Sequence, residues 1–294
     1  MKVVCEVCMH HCSLEPEQRG ICQARKNRNG KIVCENYGQV TALALDPIEK
    51  KPLKMFRSGS KILSVGSYGC NLRCPFCQNY TISMALGRGG HRIDDSKECG
   101  KKVIERETVD SVWIPPDYLA EKAYKAKALG NVGVAFTYNE PLVGWEYVRD
   151  TAKLVKDYGM DNVLVTNGTA SLRVLEELLP FIDAMNIDLK GFREEYYHKL
   201  GGDLETVKTF IIHAAKKCHV ELTTLIVPGE NDSLKEMEEE AQWIRALGKG
   251  IPLHITRFFP QYHMVDREAT EVESVYQLAE EARSYLDYVF VGNC

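Results

Sequence analysis

The chain has 294 residues, enough for one large domain or two modest ones, and its net charge of −4 (37 basic against 41 acidic side chains) gives no basic field for nucleic acid. Eleven cysteines, odd in number and clustered, argue against a paired disulfide framework and for metal binding in a reducing compartment, so a cytoplasmic location is expected. The start, MKVVCEVCMHHC, lacks the apolar core of a signal peptide, and no stretch has the length of a membrane helix, so neither membrane nor nucleic acid is an expected partner.

In chain order, Cys5, Cys8, Cys12 and Cys22 come first, with His10 and His11 between them. Four thiols meet the ligand count of a closed structural site, which would supply folding energy to a module too small for its own core. Zinc and an auxiliary iron–sulfur cluster both suit these donors, and spacing does not choose between them; four unligated thiols are the plain alternative. KIVCENYGQVTALALDPI then reads as two short strands joined near Tyr37-Gly38. We expect residues 1–57 to form a cysteine-rich module with a β-hairpin, and residues 58–294 to form the main domain.

From residue 61 the pattern changes. KILSVGS, GVAFTY, NVLVT, DAMNIDL, VELTTLIV, PLHITRF and DYVFVG are apolar runs of strand type, separated by helical patterns such as LVGWEYVRDTAKLVKDYG and LKEMEEEAQWIRALG. Regular alternation predicts parallel βαβ units, hence an α/β barrel or an open doubly wound sheet, with chemistry at the C-terminal ends of the strands. Residues 84–115 break the rhythm with Gly and charge, as a lid beside the site or as a solvated insertion.

The first strand leads into GSYGCNLRCPFCQNY, which sets Cys70, Cys74 and Cys77 at C-x3-C-x2-C spacing, with Phe76 before the third. A structural zinc would need a fourth ligand, and Asn71, Asn79 and Tyr80 are poor ones. Three thiolates can hold three corners of a cubane and leave one iron open. Each following strand also ends in polar residues. FTYNEPL carries Tyr138, Asn139 and Glu140, a place for cofactor acceptors or simply a helix start at Pro141. TNG carries Thr166 and Asn167, and NIDLKG carries Asp188 and Lys190, the lysine suited to a carboxylate or to a snorkelling surface role. TLIVPGEND holds Gly229, which also marks a turn. In PLHITRFFPQYHM, strand alternation puts His254 and Thr256 on one face and Arg257 on the other, with His263 in the loop. Cys34, Cys99, Cys218 and Cys294 have no partners at ligand spacing and read as plain thiols.

These motifs resemble the radical S-adenosylmethionine (SAM) superfamily, whose mark is the three-cysteine spacing with an aromatic before the last cysteine. More narrowly, Cys5 to Arg25, Asp46 to Leu53, Gly69 to Asn79, Tyr138 to Pro141 and Leu253 to Pro260 are similar to the radical SAM member of the AmmeMemoRadiSam set. The resemblance implies a partial (β/α)6 TIM-like barrel carrying a [4Fe-4S] cluster on Cys70, Cys74 and Cys77. The open iron would bind SAM, and an electron from a ferredoxin- or flavodoxin-type reductant would release a 5′-deoxyadenosyl radical that abstracts hydrogen. It further implies AMMECR-type and Memo-type partner proteins. Cofactor contacts would fall to Phe76, Tyr138, Asn139, Glu140, Thr166, Asn167, Asp188 and Gly229, with Lys190, His254, Arg257 and His263 on the substrate side. Tyr138-Asn139-Glu140 looks like the superfamily's Gly-Gly-Glu motif in altered form.

Two departures stand out. Val165 occupies a position where pyruvate formate-lyase activating enzymes usually carry Asp, and the chain stops at VGNC where relatives are expected to continue into a cysteine-containing tail. The leading expectation is hydrogen abstraction from an unidentified substrate. An activase that installs a glycyl radical on a partner protein is the alternative, and a metal-stapled binding module without turnover is the non-enzymatic one.

Overall fold

Strands and helices alternate in the computed structural model, which describes residues 1–85, 109–248 and 250–294. The chain opens with short strands β1 (Val3–Val4), β2 (Ser13–Leu14), β3 (Arg25–Arg28), β4 (Lys31–Cys34) and β5 (Gln39–Val40). β6 (Ala42–Pro47) and β7 (Lys61–Gly66) follow, then the short helix α1 (Tyr80–Ser83), β8 (Val112–Trp113) and α2 (Pro116–Lys125). Next come β9 (Asn131–Phe136), α3 (Trp145–Asp157), β10 (Asp161–Thr166), α4 (Leu172–Leu178) and β11 (Ala184–Asp188). The remainder is α5 (Glu194–Lys199), α6 (Leu204–Ala214), β12 (His219–Ile226), α7 (Leu234–Leu247), β13 (Leu253–Arg257), α8 (Val272–Arg283) and β14 (Val289–Gly292).

Eight strands form one sheet in the order β14-β13-β12-β11-β10-β9-β7-β6. All its pairs are parallel except β6 with β7, and β6 and β14 are its two open edges. This is the expected partial barrel, extended beyond six strands by β14 on one edge and β6 on the other. Side chains alternate across it. Val134 and Phe136 of β9 join the large core under the helices, whereas Ala135 points into the barrel with Val163 and Ala184 of the neighbouring strands. These small inward side chains leave room for Ile48 and Leu53, which fold into the barrel from the segment after β6 and form its floor. Asn186 Nδ2 donates to Pro52 O at 2.9 Å, and Glu221 accepts from Lys54 N at 2.9 Å and Met55 N at 2.8 Å, so the floor is hydrogen-bonded to β11 and β12.

The expected hairpin around Tyr37-Gly38 is paired differently. β4 pairs with β3, β5 with β8, and the second expected strand becomes β6 of the barrel sheet. Leu43 on β6 packs on the main core, and Ile48 just beyond it is fully buried in the barrel. A division at residue 57 therefore cuts through the sheet. Cys99 and most of the 84–115 segment lie outside the described residues, and the described end of that segment supplies β8. Among the described residues no helix is long and apolar enough to cross a membrane.

Buried Arg25 locks the N-terminal module to the barrel. Its Nε donates to Val143 O at 2.6 Å, and its two terminal nitrogens grip Glu146 of α3. Such a bidentate pair compensates a guanidinium removed from water. The module also bonds along the strand ends, through Met9 N to Thr169 O at 3.2 Å and Ser171 N to Val7 O at 2.9 Å.

Candidate active site

The C-terminal ends of β7, β9, β10 and β11 surround the mouth of a cavity of about 660 Å3, which continues inward past Thr223, His254 and Thr256 to Pro52 and Lys54 of the floor. Cys70, Cys74 and Cys77 line it. Their loop leaves β7 with Gly69 at φ +92°, where a Cβ would lie 2.5 Å from Cys22 O, so glycine is required both for the turn and for contact with the module. Phe76 is buried against Leu72, Tyr196 and Val227 and meets Phe258 edge-on at 6.4 Å. Backbone bonds from Arg73 N to Leu200 O at 2.8 Å and from His263 N to Pro75 O at 2.8 Å pin the loop on its outer side.

Burial pushes the Cys74 thiol up to about 12 and also raises Cys70 and Cys77. Lys190 pulls Cys74 and Cys77 the other way, easing the ionisation that metal ligation needs. Burial disfavours the Lys190 charge as well, but Asp188 at 2.7 Å and the neighbouring thiols more than offset this and hold the ammonium charged. Among the described residues no three His, Cys, Asp or Glu side chains are gathered around a point that one metal ion could occupy. Tetrahedral zinc, with Zn–S near 2.3 Å, would bring its sulfurs to about 3.8 Å from one another. A cubane spreads its thiolates over separate irons, and three soft donors on one cavity wall suit it.

The family model of the radical SAM superfamily matches residues 64–244, a span from β7 into α7. The chain belongs to the radical SAM superfamily. An uncharacterised protein of Methanocaldococcus jannaschii is 34% identical over 299 residues, covering 99% of this chain and 81% of that one. The pyruvate formate-lyase 1-activating enzyme of Escherichia coli K12 is 26% identical over 184 residues, covering 61% of this chain and 67% of its own. Streptococcus suis SuiB bound to S-adenosylmethionine has the same fold, with a TM-score of 0.57 at 13% identity; the alignment covers 84% of this chain and 53% of SuiB. Membership makes the protein a radical SAM enzyme, related to pyruvate formate-lyase activating enzymes, whose cofactors are a [4Fe-4S] cluster and SAM.

Several expected residues meet in this cavity. Asn139 accepts from Ser67 N at 2.9 Å and donates to Tyr68 O at 3.2 Å and Gly69 O at 3.0 Å, so its amide is spent on the cluster loop. Glu140 caps the short helix at Pro141 by accepting from Leu142 N at 3.0 Å, and it also accepts from Thr166 Oγ1 and Asn167 N, each at 2.8 Å. Its carboxylate thereby ties the end of β9 to that of β10. Asn167 Nδ2 reaches Asn71 Oδ1 at 3.0 Å and Cys70 Sγ at 3.8 Å. Asp188, Lys190 and His254 line the cavity, and His254 is held by Glu221 at 2.6 Å.

Three expected residues do not reach the cavity. Arg257 points to the opposite face of β13 from His254, as alternation predicts, and donates to Thr270 O at 2.6 Å. The His263 ring lies against Tyr262 at 3.7 Å, and its backbone N bonds Pro75 O of the cluster loop. Gly229 has a φ of +75° in a turn with no neighbour where its Cβ would be, and its N donates to Asp232. These loops pack outward, which spacing along the chain does not reveal.

Sequence reasoning missed Asp46, Lys51 and Glu221 as buried charges behind the cavity lining, where Asp46 holds Tyr138 and Glu221 holds His254 and Lys54 N. The Asp46–Lys51 pair lies within the DPIEKKPL motif, and that motif was the available signal. Cys5, Cys8 and Cys22 are buried and Cys12 partly so, with Cys5 N bonded to Cys12 O at 2.9 Å. They lie directly behind the cluster loop: His10 Nε2 is 2.7 Å from Asn71 O, and Arg73 donates to Ile21 O.

Proposed function

We propose that the enzyme uses SAM at Cys70, Cys74 and Cys77 to abstract hydrogen from a small substrate held between the strand ends and the floor. When bound, the cluster supplies the electron that cleaves SAM to methionine and a 5′-deoxyadenosyl radical. The observation that carries this reading is the single cavity with the three thiols at one end and the Pro52–Lys54 floor at the other. About 660 Å3 is the size of a site for a cofactor with a small partner rather than for a folded surface. Within it Lys190, kept charged by Asp188, favours ionised thiols and can meet a carboxylate. Apolar walls of buried Phe76 and partly buried Leu225 and Val165 limit water around a radical site.

The four N-terminal thiols, on this reading, hold a second metal centre. Their number, burial and mutual electrostatic influence support it, with zinc and an iron–sulfur cluster both suited to the donors. A ferredoxin- or flavodoxin-type reductant, and AMMECR-type or Memo-type proteins as partners, complete the proposal.

The test is metabolite and protein profiling of a strain lacking the gene, followed by incubation of candidates with the anaerobically reconstituted enzyme. A small molecule consumed with formation of 5′-deoxyadenosine supports the reading. The glycyl-radical activase reading draws on the 26% identity to the Escherichia coli activating enzyme, while Val165 stands where the activases carry Asp. It replaces ours when the only species exchanging label with deuterated 5′-deoxyadenosine is a glycine in a large protein.

A further inference from the structure

Tyr138 has a φ of +72°, in the left-handed region that side chains other than glycine rarely adopt. It precedes Asn139 and Glu140, whose side chains hold the cluster loop and the end of β10. A strained residue persists only where its surroundings over-determine it.

The surroundings here are specific. Tyr138 Oη donates to Asp46 Oδ2 at 2.8 Å, and buried Lys51 donates to the same oxygen at 2.9 Å. Lys51 Nζ also sits 4.6 Å from the centre of the Tyr138 ring. Asn79, two residues past Cys77, donates to Tyr138 O at 2.8 Å. Gly66 opens the path of the ring, since a Cβ there would lie 2.8 Å from Tyr138 Cδ2. The tyrosine is thus gripped at its hydroxyl, ring face and carbonyl. Asp46 is anchored in turn, because it lies in β6 one residue from its end, in register with Ile62 of β7. Its carboxyl is buried, yet the bonds from Lys51 and Tyr138 keep it ionised, well below the usual range.

We propose that Asp46 and Lys51 are positioning residues that hold Tyr138 in its left-handed conformation and so place Asn139 and Glu140 at the cofactor end of the cavity. The inference rests on the assignment of that end to SAM. Glycine would adopt this φ without support. With a tyrosine there, the support comes from the DPIEKK segment, which otherwise serves only as floor. Loss of the grip lets Tyr138 relax to negative φ, turning the Asn139 amide away from Ser67 and the Glu140 carboxylate away from Asn167.

The experiment is a thermodynamic cycle on anaerobically reconstituted protein, reading SAM dissociation constants by equilibrium binding, with unfolding midpoints alongside. Asp46→Asn should weaken SAM binding by about tenfold, which is about 1.4 kcal/mol. Whatever level Tyr138→Gly sets, adding Asp46→Asn to it should change affinity by less than about twofold, because glycine needs no grip. Should Asp46→Asn fail to fold, Tyr138→Phe removes only the hydroxyl donor and should weaken SAM binding severalfold with a midpoint near that of the wild type. Equal losses from Asp46→Asn in both backgrounds, or wild-type affinity in Asp46→Asn or Tyr138→Phe, would overturn the proposal. Wild-type protein that binds no SAM would instead sink the cofactor assignment beneath it.

Discussion

Glu140 offers the sharpest test of how the strand ends are coupled, and Glu140→Gln is the informative substitution. One carboxylate oxygen accepts from Leu142 N and Thr166 Oγ1, the other from Asn167 N. A glutamine has a single acceptor oxygen. The Thr166 hydroxyl can reverse and accept, but the two backbone N–H groups cannot, so in either amide orientation one of them is left facing a donor. With Glu140 only 4% exposed, water does not replace the lost partner. A buried unpaired N–H costs about 1–3 kcal/mol, and relief by a shift of Asn167 would move the side chain that reaches Cys70. If that cost falls on SAM binding, affinity drops by about tenfold or more. Burial also pushes the Glu140 carboxyl up to about 7, against the three bonds that favour its charge. Wild-type affinity for the cationic cofactor should therefore weaken as pH falls through about 7, whereas the Gln variant should show no such step. Equilibrium SAM binding from pH 6 to 8, with release of 5′-deoxyadenosine under dithionite, measures both effects. A Gln variant that binds and cleaves SAM like the wild type, with the same pH profile, would refute the coupling and leave Glu140 as a helix cap alone.

Replacing Cys70, Cys74 and Cys77 together with Ala should abolish 5′-deoxyadenosine formation; continued release under dithionite would contradict the central assignment. Iron and acid-labile sulfide remaining in that variant report an N-terminal cluster, stoichiometric zinc reports a staple, and neither metal disposes of the second centre. Cys8→Ala or Cys22→Ala should lower the yield of folded protein more than it alters the optical spectrum of the first cluster, because both thiols are buried in a module with little core of its own. On the helix side of β12, Glu240 is 1% exposed, with Thr224 Oγ1 at 2.5 Å, and burial pushes it up to about 8. Between about pH 4.5 and 8 the unfolded chain has lost this proton while the native one keeps it, so the group subtracts from stability as pH rises. Glu240→Gln should leave stability near pH 5 unchanged and raise it by roughly 4 kcal/mol at pH 8, measured by urea unfolding; equal stability at both pH values would place a charge-compensating partner beside it.

Much of the site was legible because its chemistry is local in sequence. The C-x3-C-x2-C spacing fixes three thiols within one loop, and strand alternation separated His254 from Arg257. Polar strand ends marked Glu140, Asn167, Asp188 and Lys190, all of which line the cavity. Other residues lie where the sequence gives no signal of their facing. Gly229 and His263 belong to loops whose facing depends on contacts made elsewhere, such as the His263 N bond to Pro75. Asp46 and Lys51 sit in a charged stretch that reads as a solvated turn, and only Tyr138, 92 residues away, shows why both are buried. The pairing of β4 with β3 was likewise open, because two short strands flanking a turn can each find a different neighbour.

The superfamily model begins at residue 64, yet the segment before it touches the site from both ends. Met9, His10 and Ile21 cover the outside of the cluster loop, while Pro52 and Lys54 close the cavity floor. A barrel shared with activating enzymes fixes where SAM chemistry occurs. What is held beneath it depends on the floor, because inward side chains as small as Ala135 and Ala184 set no lower boundary by themselves. Ile48 and Leu53 set it, and they come from the same DPIEKKPL stretch that grips Tyr138. One segment thereby bounds the cavity from below and supports the strand end that carries Tyr138, the end assigned to the cofactor in the proposed function. Changes in that segment should therefore alter the depth of the cavity and the support of Tyr138 together, so that a substitution at Leu53 is expected to disturb both ends of the site.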